Sequence, residues 1–375
     1  MNRRPSKSRK EYDAFNPDQI RSFDPHGPSA DFFKDKPRLL PYQLVLRGCF
    51  LLILITVLIN LVINQFVYIH RATIPITGLT EAFDGYTILH ISDLKGERYG
   101  TAQDAIRSRL AKEHFDLVVM TGDMISERGN AQPFYELIEV LRDLNSAAPI
   151  YFIPGDTDPA PTSMDYASGG SPFAPWILGA RQRGATYLSS PQMIESEEQR
   201  MWVMSLSNVT FDTLQQRSRY EQRLIDARRN GDKNEIELAE FELATINDTE
   251  NARAALQEND IFIVLTHVPN TEIQTISTIP YSKSYQIDLI LSGHFLGGLV
   301  RIPIIGPVFV PSLMLPRYGL FPGSALYAKG ERQVQKTWYS VSTGLGKSDR
   351  NDPFFFLRLN NPPTISLLTL SATKL

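Results

Sequence analysis

Five short polar segments carry the side chains of this chain that could hold a cation or an anion. They are Ser92-Asp93-Leu94-Lys95-Gly96, Thr121-Gly122-Asp123, Pro154-Gly155-Asp156-Thr157-Asp158, Thr266-His267, and Ser292-Gly293-His294-Phe295-Leu296-Gly297-Gly298. Singly, each is ordinary: Gly-Asp pairs are common turn chemistry, and a histidine at a strand end is usually structural. Their order gives them weight, because each follows an apolar run. Together they would bring Asp93, Asp123, Asp156, His267 and His294 to one rim, and carboxylates and imidazoles that converge in this way hold divalent cations.

The elements that must position them are legible as apolar runs ending in those polar loops: Tyr86 to Ser92, Asp116 to Gly122, Ile150 to Gly155, Ile261 to His267 and Ile287 to His294. Each has the length and composition of a buried strand. Between the first two lies AQDAIRSRLAKEHF, and between the second and third FYELIEVLRDL, both apolar at helical spacing. Strands alternating with helices predict a layered α/β architecture. In such sheets ligands gather beyond the carboxyl ends of the strands, where these polar residues emerge.

With these motifs in place, the chain resembles the calcineurin-like metallophosphoesterase superfamily, specifically its small bacterial membrane-associated branch, from about Tyr86 to the end. The branch's usual SDLH, TGD, PGNHD, lone His and SGHTHGGQ appear here as SDLK, TGD, PGDTD, THVP and SGHFLGGL. YSVSTGLG at Tyr339 to Gly346 and NNPPTISLLTL at Asn360 to Leu370 complete the match. The resemblance implies a four-layer α/β/β/α sandwich with two mixed sheets between helices, and a phosphoester hydrolase built on two metal ions.

The departures from that pattern fall on the ligands. In the family one metal takes the first Asp, the His two residues later, the bridging Asp and the last His of GHTH. Here Asp93 and Asp123 remain, but Lys95 and Leu296 hold the histidine positions. Leucine cannot ligate, and a lysine beside two carboxylates keeps its proton; this metal position is expected to be lost. Lys95 is instead expected to place its ammonium in part of that space, paired with Asp93 and Asp123. The second metal's ligands correspond to Asp123, Asp156, His267 and His294, all able to ligate, so one divalent cation (Mn, Zn or Fe) is the expected cofactor. Thr157 stands where the family has the histidine that assists the leaving group, and a hydroxyl cannot act as a proton donor near neutral pH.

Gly48 to Ile69 contains no charged residue and is bracketed by Arg47 and His70-Arg71, which reads as one bilayer crossing within residues 43–70. Its two asparagines, Asn60 and Asn64, are expected to seek polar partners. Residues 1–42 are basic, polar and aperiodic, the composition of a disordered tail. More basic residues precede the span than follow it, which predicts a cytoplasmic N-terminus and an extracytoplasmic main domain over residues 71–375 in the cell membrane. The lone Cys49 lies inside the apolar run, where it serves as a small hydrophobe. A net charge of −3, with no overall basic excess, argues against a nucleic-acid partner.

Phe211 to Glu258 is charged and broken at Asn230-Gly231, which predicts a helical hairpin inserted at about 211–258. Leu214, Tyr220, Leu224 and Ile225, then Ile236, Leu238, Phe241 and Leu243, recur at helical spacing and are expected to pack. Val300 to Phe321 is apolar and proline-interrupted, ordinary fold or an apolar lip suited to lipid phosphoesters. Two functions follow: a membrane-anchored phosphoesterase with a one-metal or impaired site, or a catalytically inactive relative that binds a phosphoester or lipid-phosphate ligand or serves as a scaffold. No feature of the sequence selects a protein partner.

Overall fold

Strict two-residue alternation, buried on both faces, is the rule that builds this fold. In the computed structural model, which describes residues 41–126, 129–167, 170–196, 198–210, 212–269, 286–302, 306–310, 327–347 and 358–372, the chain divides after Ile55 into two compact units. Helix α1 (Pro41–Ile63) begins in the first; the second contains everything else described. In chain order follow β1 (Tyr68–Ile76), β2 (Thr87–Ile91), α2 (Asp104–Leu110), β3 (Leu117–Thr121), α3 (Gln132–Leu144), β4 (Ile150–Ile153), α4 (Met164–Ala167), α5 (Pro175–Gln182) and β5 (Ala185–Tyr187). The second half supplies β6 (Gln192–Ser196), β7 (Gln199–Ser205), α6 (Leu206–Thr210), α7 (Thr213–Asn230), α8 (Lys233–Ala255), β8 (Ile261–Leu265) and β9 (Leu289–Ser292). It closes with β10 (Val300–Ile302), β11 (Gly306–Phe309), β12 (Gly330–Val334), β13 (Thr337–Val341) and β14 (Thr364–Ala372).

Two six-stranded sheets result, ordered β1-β14-β2-β3-β4-β5 and β12-β13-β9-β8-β7-β6, with β10 and β11 forming a separate pair. Both are mixed: β2 to β5 run parallel with β14 antiparallel beside β2, and β7, β8, β9 and β13 run parallel between antiparallel β6 and β12. Alternate residues of the central strands enter different cores. Ile88, Leu117, Val119, Tyr151 and Ile153 of the first sheet meet Ile261, Ile263, Leu265, Leu289 and Leu291 of the second. On the outside, Leu89, Ile91, Val118, Met120 and Phe152 pack on Ile106, Phe134, Leu137, Leu141 and Trp176 from α2, α3 and α5. The outer face of the second sheet, with Trp202, Met204, Phe262, Val264 and Ile290, is covered by Val209 and Ala252 from α6 and α8. Helices, sheet, sheet and helices make four layers, as the resemblance implied.

Among the described residues one helix, α1, is long and apolar enough to cross a membrane; its 23 residues span about 35 Å against a hydrocarbon layer of about 30 Å. The carboxyl end of the expected 43–70 segment is corrected here. Helix ends at Ile63, and Tyr68 opens β1, which pairs in parallel with the C-terminal strand from Tyr68↔Thr364 to Ile76↔Ala372. A partner strand distant in sequence decides that boundary, so local apolarity could not. The expected tail of residues 1–42 lies outside the described residues except for its last two, which are helical.

The hairpin between β7 and β8 has well-formed ends. Asp212 accepts hydrogen bonds from the amides of Leu214 and Gln215 at the start of α7, and Asp232 accepts one from Glu235 at the start of α8. Gly231, at φ 69°, ends α7 in the left-handed conformation that glycine adopts without penalty. Packing is carried by α8, which buries Leu238, Ala239, Ile246, Thr249 and Ala252 and sets Phe241 edge-on against Phe173. Leu214 and Ile225, expected to pack, are 74% and 52% exposed. Helix α7 is held mainly to α8, through Arg217–Glu250, Arg223–Glu235 and Arg228–Glu240, so its apolar spacing finds no core.

Asp288, at the entry to β9, accepts a hydrogen bond from the Phe262 amide, and burial pushes its carboxyl up to about 7 from an ordinary 3.8. Folded chain therefore keeps a proton that unfolded chain loses between those values, and stability falls as pH rises from about 4 to about 7. The Asp288→Asn variant is expected to lose this slope, by roughly 1.4 kcal/mol for each unit separating the two pKa values. Thermal unfolding of both proteins across that range checks it; parallel curves would refute the assignment.

Candidate metal and phosphoester site

Asp93, Lys95, Asp123, Asp156 and Thr157 follow β2, β3 and β4 in one sheet; His267, His294 and Leu296 follow β8 and β9 in the other. The facing carboxyl ends are stitched together by the main chain and the side chains of the site. His267 Nδ1 lies 2.7 Å from the Thr121 carbonyl, and the His294 amide donates to Asp93 Oδ2 at 3.1 Å. Within the second sheet, the Gly293 amide donates to the His267 carbonyl at 3.0 Å. The five polar segments thus share one mouth.

Its centre is the Asp123 carboxylate, which is 1% exposed as a residue. Oδ1 accepts the Thr157 amide at 3.0 Å. Oδ2 receives Lys95 Nζ at 2.8 Å and lies 3.4 Å from His267 Nε2. Beyond that imidazole, His267 Nε2 is 2.8 Å from Asp156 Oδ1 and 3.3 Å from His294 Nδ1, which in turn is 3.5 Å from Asp156 Oδ1. Asp156, His267 and His294 bring donor atoms within 4.8 Å of one another, and Asp93, Asp123 and His267 form a second such group, so either could hold a cation. The Thr121 carbonyl, by taking the Nδ1 proton of His267, leaves Nε2 directed at the cluster, as an outer partner does for a ligating imidazole.

Across Asp123 the donor set is different. Asp93 is fully buried, and its Oδ1 has no hydrogen-bond partner among the described residues, an orphaned oxygen of the kind a cation satisfies. Asp123 and His267 reach the same space, whereas Lys95 and Leu296 are not ligands. Lys95, with 13% of its side chain exposed, pairs with Asp123. Leu296 is 1% exposed, and its Cδ2 would lie 3.0 Å from a Cβ built on Gly344, beside Asp93. A lysine and a leucine add no ligand to the Asp93, Asp123 and His267 group.

The electrostatics follow from that crowding. Burial pushes Asp93 upward, while the His267 and Lys95 charges partly offset it. Burial would raise Asp123 and Asp156 as well, but in both it is outweighed: by His267 and Lys95 for Asp123, and by His267 and His294 for Asp156. Both carboxyls end well below the usual range. His267 is desolvated, yet its bonds to Asp123 and Asp156 raise it to about 11. The mouth concentrates negative charge and recruits positive charge.

The backbone carries the same signature. Asp93, Lys95, Asp123, His294 and Leu296 all have positive φ, between 49° and 72°. Such residues cost of order 1–3 kcal/mol each and cluster where structure over-determines them. Lys95 and Leu296, which do not ligate, keep the same strained conformation as the residues that can.

The family model for calcineurin-like phosphoesterases matches residues 86–297, more than half of the chain. The chain belongs to that family. A curated relative, the uncharacterized metallophosphoesterase YkuE of Bacillus subtilis (strain 168), is 25% identical over 306 residues, covering 80% of this chain and 85% of that protein. Among solved structures, the chain is similar to the phosphopantetheinyl hydrolase PptH of Mycobacterium tuberculosis, at 11% identity and TM-score 0.33 over 74% of this chain and 96% of that one. It is likewise similar to a dimetal phosphatase of Danio rerio, at 10% identity and TM-score 0.33 over 70% and 88%.

Two residues of this phosphoesterase-family site had no role assigned from sequence. Asp158, at the end of the PGDTD motif, accepts the amides of Gly155 at 2.8 Å, Ile125 at 3.0 Å and Met124 at 3.3 Å, tying the loops after β3 and β4. A second acid two residues from Asp156 was its visible signal. Arg358 is buried beneath the Asp93 loop and is marked in sequence only as a lone charge between Leu357 and Leu359.

Gly155 leaves no room for a side chain: an added Cβ would fall 2.1 Å from Asp123 Oδ1 and 2.3 Å from the Asp123 amide. Gly155→Ala is expected to displace Asp123, cost about 1–3 kcal/mol, and weaken Mn²⁺ binding by tenfold or more. Thermal unfolding and a Mn²⁺ titration measure both; wild-type affinity in the variant would show that Asp123 is not a ligand.

Proposed function

We propose that this chain is a membrane-anchored phosphoester hydrolase that works with one divalent cation, Lys95 taking over part of the charge of the second. The observation that carries this reading is the division of the Asp123 carboxylate: the Lys95 ammonium on one side, and the His267, Asp156 and His294 cluster on the other. Asp123, Asp156, His267 and His294 would hold the cation, Mn, Zn or Fe. When bound, such an ion polarises a phosphoryl oxygen and favours deprotonation of water near neutral pH.

The chain's own residues set the rest. Lys95 supplies a fixed positive charge at the mouth, toward which a phosphoryl group is drawn and oriented. Asp93 and Asp123 keep that ammonium charged and in place. Thr157 orients Asp123 through its amide, and its hydroxyl can donate a hydrogen bond but not a proton at neutral pH. Lacking the ~10²–10⁴-fold that general acid catalysis contributes, the site favours esters whose leaving group departs unprotonated.

Anchoring by α1, with a cytoplasmic N-terminus and the sandwich outside the cell membrane, would put the mouth within reach of lipid or envelope phosphoesters. A second reading, a ligand-binding or scaffolding relative without turnover, draws support from Leu296, which fills the space beside Asp93 with apolar surface.

Full-length chain in detergent, supplied with Mn²⁺ or Zn²⁺, is expected to retain about one equivalent of metal and to hydrolyse an activated aryl phosphodiester slowly. His294→Ala is expected to lose both. Metal retained without turnover leaves the binding reading standing, and no metal at all overturns the hydrolase. Because the backbone at Lys95 and Leu296 is already left-handed, the triple variant Lys95→His, Thr157→His, Leu296→His is expected to take up a second equivalent. Elemental analysis decides this, and uptake of only one ion would disprove the correspondence of these loops with a two-metal site.

A further inference from the structure

Arg358 is 2% exposed, the largest side chain so fully buried in the described chain, and its recorded hydrogen bonds all end on main-chain carbonyls. Nε donates to Asn361 at 2.9 Å, Nη1 to Gly346, and Nη2 to Thr343 at 2.9 Å and Pro362 at 3.4 Å. Among the described residues no carboxylate pairs with it, although burying a guanidinium is costly without close compensation. A buried charge retained on such terms invites the question of what it holds.

What it holds is the Thr343–Gly346 loop, which lies against one half of the site. The Leu345 amide donates to the Ser92 carbonyl at 3.1 Å, and the Gly346 amide donates to the Asp93 carbonyl. A Cβ built on Gly344 would stand 2.9 Å from Asp93 Cβ, and one on Gly346 would stand 2.9 Å from Lys95 Cβ. Asn361, whose carbonyl Arg358 grips, donates its side-chain amide to the Leu296 carbonyl at 2.6 Å. Each of these contacts bears on Asp93, Lys95 or Leu296; none made by Arg358 reaches Asp156, His267 or His294.

The segment carrying Arg358 is itself held from the end of α1, in the part of that helix that belongs to the second unit. Asn64 Nδ2 donates to the Arg358 carbonyl at 2.7 Å, and Asn60 Oδ1 accepts the Asn360 amide at 2.7 Å. From Asn64 to the Asp93 backbone the path is three hydrogen bonds, through Arg358 and Gly346.

We propose that Arg358 is a positioning residue for the Asp93–Lys95 half of the site, and that Asn60 and Asn64 at the end of the anchor helix hold it in register. The inference concerns how the site is held and does not depend on whether the site binds metal or turns over substrate.

Acetylation of Lys95 in full-length chain in detergent, read by mass spectrometry against exposed Lys112, reports the position of that half, since the sheltered ammonium reacts through local opening. Arg358→Met is expected to raise Lys95 labelling by ~10-fold or more, the scale of one lost charge-assisted hydrogen bond. Arg358→Lys is expected to restore part of the protection, and Asn60→Ala with Asn64→Ala to raise labelling by ~3-fold or more with Arg358 intact. Amide exchange in β8 should stay at the wild-type rate throughout. Unchanged Lys95 labelling in a folded Arg358→Met variant overturns the proposal, as does a rise matched by faster exchange in β8, which would mean general loosening. If Arg358→Met fails to fold, the double asparagine variant decides alone, and wild-type labelling there overturns the link to α1.

Discussion

One carboxylate shared between a lysine and an imidazole cluster organises this molecule. Asp123 sits in the left-handed conformation on a tight turn, with no room for a side chain at Gly155 behind it, and each of its oxygens is committed: one to the Thr157 amide, the other to Lys95 and the His267 side. Three aspartates gathered in a mostly buried mouth repel one another strongly, because low local dielectric magnifies their charge. Folding can bring them together only where positive charge meets them. Lys95 and a protonated His267 meet that demand within the chain, and a cation bound on the His267 side would take the place of the His267 proton.

The two sheets exist, in this view, to hold that crowding still. Their inner faces meet through Ile, Leu and Val at every second position, so neither sheet can slip by one residue without turning its core to the wrong side. Register then fixes where each strand stops, and the stops carry the carboxylates and imidazoles of the site. Strain at five positive-φ positions around the mouth is sustained by the same packing. That Lys95 and Leu296 share this strain is the physical link between the two halves of the site: the backbone cradle is common to both, while Lys95 brings an ion pair to one half and Leu296 a buried apolar side chain.

Much of the architecture was legible because it depends on local pattern. The strands bearing the site's aspartates and histidines, helices α2 and α3, and the break at Asn230-Gly231 all follow from periodicity, capping chemistry and turn residues. Strands β5, β6 and β7 were not read, being short or lacking a chemical motif to draw notice. The faces of the hairpin were misjudged for a different reason: Leu214 and Ile225 recur at helical spacing, but only a neighbouring surface makes a stripe into a core, and α7 has little beyond α8 to lie on.

By itself, the sequence determined which residue types would stand at the strand ends, with lysine and leucine at two of the positions where the resemblance implies histidines. It also determined the apolar run of α1, since lipid-compatible composition is a local property. Tertiary structure alone decided that Tyr68–Ile76 is a strand, because its partner is the distant C-terminal segment. It alone decided the place of Arg358, whose partners are main-chain carbonyls that every residue possesses. Interactions with backbone groups leave no trace in side-chain identity, so they become visible only when the chain has brought them together.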